Sequence, residues 1–249
     1  MGLRDSWVRQ EHPLKDGGAD LLERNAGHMY RRIAGSNQPP EFPGVSGIVK
    51  YVESFDSGFG AGQGWATKLI RESRGDYGLP RRAGDEGRDM GVQLHGEVDA
   101  FIKSEGKTAA TSPMFASWRD VVDPLFKWLA SELFLVDEEL GFGGTCDSIG
   151  RNQDTGELTI IDLKTVDPVS WQRYGSKHKR ETNSAQLAAY ASGLHRLNST
   201  FAPERGFIVY VLRDGSGTFL EEVDFDRGYK FFMAAKQMHD LHQHYDGRK

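Results

Sequence analysis

The sequence of 249 residues contains a single cysteine, Cys146. That excludes an intramolecular disulfide and a four-cysteine iron–sulfur cluster, and it fits a reducing compartment. No apolar run is long enough to span a bilayer, and no secretory-signal core stands near the start. A soluble, cytoplasmic protein with no membrane partner is therefore expected. There is no surplus of positive charge either: 31 Lys and Arg against 36 Asp and Glu give a formal net charge of -5. Net charge does not draw such a chain to nucleic acid, so any contact of that kind must come from local basic patches. Internal repeats and low-complexity linkers are also missing, and the length suits one large domain or two small ones.

What is present centres on residues 131–165. Residues Glu157 to Lys164 are rich in Ile, Leu and Thr, and a strand period of two sends Asp162 and Lys164 to one face and Leu163 to the other. Asp147 follows Gly143, Gly144, Thr145 and Cys146 on a preceding strand, and Asn152-Gln153-Asp154-Thr155-Gly156 between the two is a hairpin signal. A two-residue turn at Asp154 and Thr155 places Asp147 opposite Asp162. A three-residue turn using Gly156 puts the faces out of phase, and a bulge must then restore them.

Carboxylates on adjacent strands repel each other and raise each other's pKa unless a cation lies between them. Hard oxygen ligands with open positions suit Mg2+ or Mn2+, which keep several waters and accept phosphate oxygens. Lys164, two residues past Asp162, can orient or deprotonate a water there and counter charge on a phosphate.

Asp-x-Lys on a strand, with G-x-x-D on its hairpin partner, resembles the PD-(D/E)XK nuclease superfamily and, more narrowly, its RecB-type exonuclease branch. Further motifs follow in the order of that branch. G-V-Q-L-H-G-E-V-D-A-F supplies His95 on an upstream helix, Glu132 stands before the hairpin, and S-A-Q-L-A-A-Y supplies Gln186 and Tyr190 on a following helix. The segment from Pro43 to Ile48 is similar to the opening of phage members, and the lone cysteine rules out the iron–sulfur cluster that some relatives carry. The resemblance covers roughly residues 43 to 213. It implies an α/β fold with a mixed central sheet, ordered helix, three-stranded meander, helix, strand, with helical additions at the N-terminus.

In that reading residues 1–42 are an extension of uncertain structure and 43–249 one nuclease domain, with 43–110 helical and carrying His95 and 111–249 the catalytic α/β core. Within the extension, Asp20 to Asn25 suggests a short helix and Met29 to Ala34 a strand. Ser46 is a candidate N-cap, with Ile48, Val52 and Phe55 on one helical face. Trp65 and Leu69 share a helical face taken as core. A helix from about Asp85 to Ser104 has Met90, Leu94, Val98 and Phe101 as its stripe with His95 beside it, and Asp99 is either a partner for His95 or an ordinary surface acid. Ser112-Pro113 starts another helix, whose stripe Phe115, Trp118, Val122, Leu125 and Leu129 runs to a strand opened by Glu132. Asp137, Glu138 and Glu139 read as solvated turn residues. Near the C-terminus an apolar strand from Gly206 to Leu212, a hairpin at D-G-S-G, and a last helix from about Asp226 to Tyr245 are expected, ending in His239, His242 and His244.

Arg71, Arg74, Arg81, Arg82 and Arg88 cluster in or beside one loop. They read either as solvated charges balanced by nearby acids or as phosphate contacts. Trp171, Tyr174, Lys177, His178, Lys179 and Arg180 likewise read as plain surface or as a track for a single strand, cations on phosphates and rings on bases.

The resemblance implies hydrolysis of DNA phosphodiesters by an exonuclease acting on single-stranded or end-bearing DNA in recombination, repair or phage DNA processing. It would act in the bacterial cytoplasm, or the host's if phage-encoded, with recombination or replication proteins as further partners. His95, Asp147, Asp162 and the Leu163 carbonyl would hold the metal, and Glu132 would support it or a second ion. Lys164 would activate the water, and Gln186 and Tyr190 would position water or phosphate. A structure-specific endonuclease and a catalytically idle DNA-binding or assembly protein are the alternatives; clustered acids with no task are a costly thing to keep, which weighs against the last.

Overall fold

A computed structural model describes residues 7–11, 21–33, 39–56, 61–109, 111–177, 180–198 and 201–245. The chain opens with four short strands, β1 (Trp7–Glu11), β2 (Leu21–Asn25), β3 (Met29–Ile33) and β4 (Phe42–Pro43), joined antiparallel in that order. Three helices follow, α1 (Val45–Asp56), α2 (Ala61–Glu72) and α3 (Leu79–Lys103), and then α4 (Pro113–Val121). The main sheet comprises β5 (Phe126–Asp137), β6 (Phe142–Asn152), β7 (Leu158–Val166), β8 (Arg205–Leu212) and β9 (Thr218–Glu222). Between β7 and β8 lie α5 (Pro168–Tyr174) and α6 (Arg180–Leu197), and α7 (Phe225–Tyr245) closes the chain. β5, β6 and β7 form an antiparallel meander, β7 and β8 pair in parallel after the α6 crossover, and β9 returns antiparallel. This is the predicted order of helix, meander, helix, strand. No helix among the described residues is long and apolar enough to cross a membrane.

Two apolar layers sandwich the sheet. Leu133, Leu135, Cys146, Ile149, Ile160, Ile208 and Tyr210 pack under α1, α6 and α7. Ile161, Leu163, Val209 and Val211 pack under α3 and α4 through Leu94, Val98, Phe101, Phe115 and Trp118. Each strand of β7 and β8 feeds both layers by alternation, as central strands covered on both faces do. The N-terminal sheet leans its Leu22 and Tyr30 on Phe134 and Val136 of β5.

Several expectations are corrected. Of the helix expected over Asp20 to Asn25, the described residues Leu21–Asn25 are a strand: β2 has ladder partners on both sides, and five residues are too few to nucleate a helix alone. The first addition to the core is therefore a sheet, with the expected helices after it. Ser46 is not an N-cap, because the Gly44 carbonyl already accepts from the Gly47 and Ile48 N–H groups and α1 begins at Val45. The Ser112 side chain does cap α4, accepting from Phe115 N at 3.1 Å. The stripe of α4 stops early, since Pro124 lacks an N–H and sits in a 3-10 turn, Asp123–Leu125, which sends the chain into β5. Leu125 and Leu129 are accordingly part-exposed, and Glu132 stands in mid-strand rather than opening it. Asp137 is buried, 3.3 Å from Arg196 Nε and accepting from Leu140 N, whereas Glu138 and Glu139 are exposed. α3 starts at Leu79, with Pro80 in its first turn, ahead of the expected Asp85. Lys179 and His178, and the side chains of Val52, Phe55, Trp65 and His244, lie outside the described residues.

The hairpin turn holds four residues, 153–156. The Asn152 side chain accepts from Asp154 N and Thr155 N, and Gly156 takes a φ of +76°, where glycine meets no Cβ penalty. Its register equals that of the two-residue turn, with Arg151 opposite Leu158 and Ser148 opposite Ile161. One step further would pair Asp147 with Asp162, but the ladder ends there.

Candidate active site

The pleat of the sheet breaks where the ladder ends. Cys146 and Ile149, three residues apart, lie in the same apolar layer, although strict alternation would send them to opposite faces. On the neighbouring strand Glu132 has a φ of +49°, rare for a residue with a Cβ. Gln10 of β1 braces that point: its Nε2 donates to the Glu132 carbonyl at 2.8 Å, and its Oε1 accepts from Phe134 N at 2.6 Å. Neighbouring Ser131 donates to Asp99 of α3 at 2.6 Å. Asp99 thus serves the strand and Lys103, not His95.

His95 is carried into this break by α3, whose buried Leu94 and Val98 fix the rotation of the helix on the sheet. Its Nε2 lies 3.2 Å from the Leu163 carbonyl, and its Nδ1 lies 3.2 Å from Glu132 Oε1 and 3.6 Å from Asp147 Oδ1. The Leu163 N–H, left without a strand partner on that side, donates to Asp147 Oδ2 at 2.7 Å. The two backbone groups of Leu163 therefore orient Asp147 and His95, while its side chain fills the core as expected.

Asp162, 1% exposed, lies one residue away. Lys164 Nζ is 2.5 Å from its Oδ2, and Gln186 Nε2 donates to its Oδ1 at 3.2 Å and to Tyr190 Oη at 3.0 Å. Gln186 and Tyr190 share a face of α6, as their spacing of four requires. Tyr190 reaches this far because residue 144 has no side chain: a methyl there would overlap Tyr190 Cε1 and lie 3.0 Å from Cδ1.

The electrostatics follow from the crowding of acids. The negative charge of Asp147, against the opposing effect of burial and aided by Glu132, raises the His95 imidazole to about 9. Burial pushes Asp162 up to about 6, with Asp147 adding to the rise while Lys164 and His95 restrain it. For Lys164 burial works against the charge, but Asp162 and Asp147 outweigh it and lift its pKa, so it is an ammonium. Burial takes the Tyr190 phenol well above its ordinary range. The Cys146 thiol is raised by burial in the same way and lies in the apolar layer that also holds Tyr190.

Donor atoms of His95, Glu132 and Asp147 lie within 4.8 Å of one another. Two carboxylates and an imidazole that binds a proton so firmly form a centre short of positive charge, and their oxygen and nitrogen donors fit a hard divalent cation. Asp162 and the Leu163 carbonyl stand beside this trio, engaged by Lys164 and His95 respectively.

The expected nucleic-acid contacts are spread over the surface. Arg71 and Arg74 are exposed, Arg81 and Arg88 pair with Asp85, and Arg82 pairs with Asp76. Trp171 is stacked within the protein, its ring 4.7 Å from that of Phe219 and 5.1 Å from that of Tyr210. Tyr174 and Lys177 are exposed, and Arg180 is 2.5 Å from Glu221. Gln10, Arg24 and Tyr30 at the site were not foreseen. Their stretch is polar and without period, and it suggested only a short helix from Asp20 to Asn25 and a strand from Met29 to Ala34.

The family model of the PD-(D/E)XK nuclease superfamily matches residues 79–243, which include the His95, Glu132, Asp147, Asp162, Lys164, Gln186 and Tyr190 positions. No curated protein matches the sequence. Among solved structures, a Eubacterium rectale protein described as a candidate exonuclease is 10% identical, with 64% of this chain and 69% of that one covered and a TM-score of 0.40. The protein SSO0001 is 17% identical, with 70% and 71% covered and a TM-score of 0.32. Likenesses this faint carry no argument about chemistry. The family match spans about two-thirds of the chain and runs through the whole meander and its flanking helices, so this chain belongs to the PD-(D/E)XK nuclease superfamily.

Proposed function

We propose that the chain is a deoxyribonuclease of the RecB-type branch that hydrolyses phosphodiester bonds with Mg2+ or Mn2+. It acts as an exonuclease on single-stranded or end-bearing DNA, in recombination, repair or phage DNA processing. The observation that carries this reading is the gathering of His95, Glu132 and Asp147 donor atoms within 4.8 Å, next to the Asp162–Lys164 ion pair.

His95, Glu132 and Asp147 would hold the ion, with Asp162 and the Leu163 carbonyl as neighbouring oxygen donors. Bound there, a divalent cation polarises a phosphoryl oxygen and makes its water more acidic. The Leu163 N–H keeps Asp147 aimed, and the Leu163 carbonyl keeps the His95 ring in one orientation. Lys164, lifted in pKa by Asp162 and Asp147, activates and orients the attacking water and counters charge that grows on the phosphate. Gln186 and Tyr190 fix the Asp162 carboxylate and line the approach of the phosphate.

The test is a Mg2+ and Mn2+ titration of cleavage on end-labelled linear and closed circular single-stranded DNA, with Lys164→Ala alongside. Loss of the linear substrate alone, abolished in the variant, is expected. Cutting of the circle would replace the exonuclease with an endonuclease, and no cleavage under either metal would leave a DNA-binding protein.

A further inference from the structure

On the N-terminal sheet, Arg9 and Arg31 both engage Glu23, and Arg32 lies 3.6 Å from Glu138. Arg24, on the same sheet, approaches no carboxylate within ion-pair distance among the described residues. Its Nη1 donates to Thr145 Oγ1 at 3.2 Å, and its Cζ lies 5.1 Å from the centroid of the Phe134 ring. The Tyr30 hydroxyl meets the same Thr145 oxygen at 3.0 Å. One bond to a hydroxyl engages one of the five N–H donors of a guanidinium, and the ring beneath holds the fork flat.

The position of this group is what gives it meaning. Thr145 precedes Asp147 by two residues on β6, Phe134 follows Glu132 by two on β5, and Thr145 and Phe134 are cross-strand partners. Two residues along a strand are about 7 Å, one step of a nucleic-acid backbone away from the acidic centre. The Tyr30 phenol, raised mainly by burial, also feels the charge of Glu132. Exposed Lys50 extends the cationic side, and its charge with that of Arg24 adds to burial in holding His28 below its ordinary range, which favours the neutral ring. A chain of net charge -5 with carboxylates at its reaction centre repels a polyanion, and needs a fixed cation where the strand enters.

We propose that Arg24, with the Thr145 and Tyr30 hydroxyls, forms a phosphate subsite that takes the backbone phosphate next to the scissile one on a nucleic-acid strand. This subsite rests on the nuclease reading above.

The test is binding of a fluorescent single-stranded oligonucleotide to the full-length, metal-free protein in EDTA across a salt series, with Mn2+ binding followed separately by calorimetry. Arg24→Gln is expected to weaken strand binding about tenfold and to flatten the logarithmic salt slope by about 0.7, one phosphate contact on a single strand. Its Mn2+ binding is expected to stay that of the wild type. Arg24→Lys is expected to restore the slope without the full affinity. Arg119→Gln, which removes an equal charge from the exposed pair with Asp120 on α4, is expected to change neither. Should Arg24→Gln not fold, Thr145→Val reads the same subsite through a weakened affinity. Wild-type slope and affinity in the Arg24 or Thr145 variant would overturn the subsite alone, as would a joint loss of Mn2+ and strand binding, which makes Arg24 a scaffold residue. A wild-type protein that binds no strand would overturn both the subsite and the deoxyribonuclease reading.

Discussion

The side-chain amide of Gln10 donates to the backbone carbonyl of Glu132 at 2.8 Å, across 122 positions of sequence. Its oxygen accepts from Phe134 N, so one side chain supplies both hydrogen bonds that a neighbouring strand would otherwise give. Glu132 needs that support because its φ of +49° takes its own peptide groups out of a regular ladder.

Gln10→Ala is therefore expected to destabilise the protein by about 1–3 kcal/mol, the cost of leaving part-buried peptide groups unmatched. Urea denaturation reads the stability. Mn2+ affinity should fall with it, because Glu132 loses its orientation; unchanged affinity would separate the brace from the carboxylate.

Gly144→Ala tests how tightly Tyr190 is seated. The added methyl overlaps Tyr190 Cε1, in a layer with little room to yield, and about 1–3 kcal/mol of destabilisation is expected. Thermal unfolding measures it, and a wild-type melting temperature would mean that the ring swings aside freely.

His95 links the site to pH. Its folded pKa, about 9, lies above the ordinary 6.5. The stabilisation from its charged form is thus fully present below 6.5 and is lost as pH rises through about 9. Metal-free protein should lose stability across that window, and His95→Gln should not show the slope. Metal must displace the same proton, so Mn2+ affinity should rise about tenfold per pH unit below 9 in the wild type and flatten in His95→Gln. Calorimetry at several pH values checks both statements.

Gln186→Ala is expected to lower cleavage about 10–100-fold, since it removes an orienting bond to Asp162 and leaves the carboxylate itself in place. Steady-state kinetics should show the loss in kcat rather than KM. A loss as complete as that expected of Lys164→Ala would place Gln186 in contact with the reacting phosphate.

Much of the sheet was legible because its signals are local. The alternation in Leu158 to Val166 gave the facing of Asp162, Leu163 and Lys164, and the Asn152 to Gly156 turn gave a register that survived a longer loop than expected. His95 was legible as the polar neighbour of an apolar helical stripe. The start of the strand containing Glu132 is not legible, because in sequence the apolar stripe of α4 runs on past Pro124, whose missing N–H ends the helix. Trp171 reads the same in sequence whether it faces a base or, as it does, Phe219. The burial of Asp137 depends on Arg196, far along the chain, and no local pattern carries that.

By itself the sequence determined which chemistry is possible: the order of His95, Glu132, Asp147, Asp162, Lys164, Gln186 and Tyr190, their spacing on strands and helices, and, with one cysteine, the absence of thiolate clusters. Periodicity and turn chemistry are short-range, so they reach that far and stop. Only the tertiary structure decided that Asp147 bonds the Leu163 N–H instead of facing Asp162 across a ladder, that Glu132 turns against its strand, and that Gln10 and Arg24 stand beside them. Those outcomes depend on contacts between different segments, 16 residues apart for Asp147 and Leu163 and more than a hundred for Gln10 and Arg24, and no periodicity within a segment encodes them.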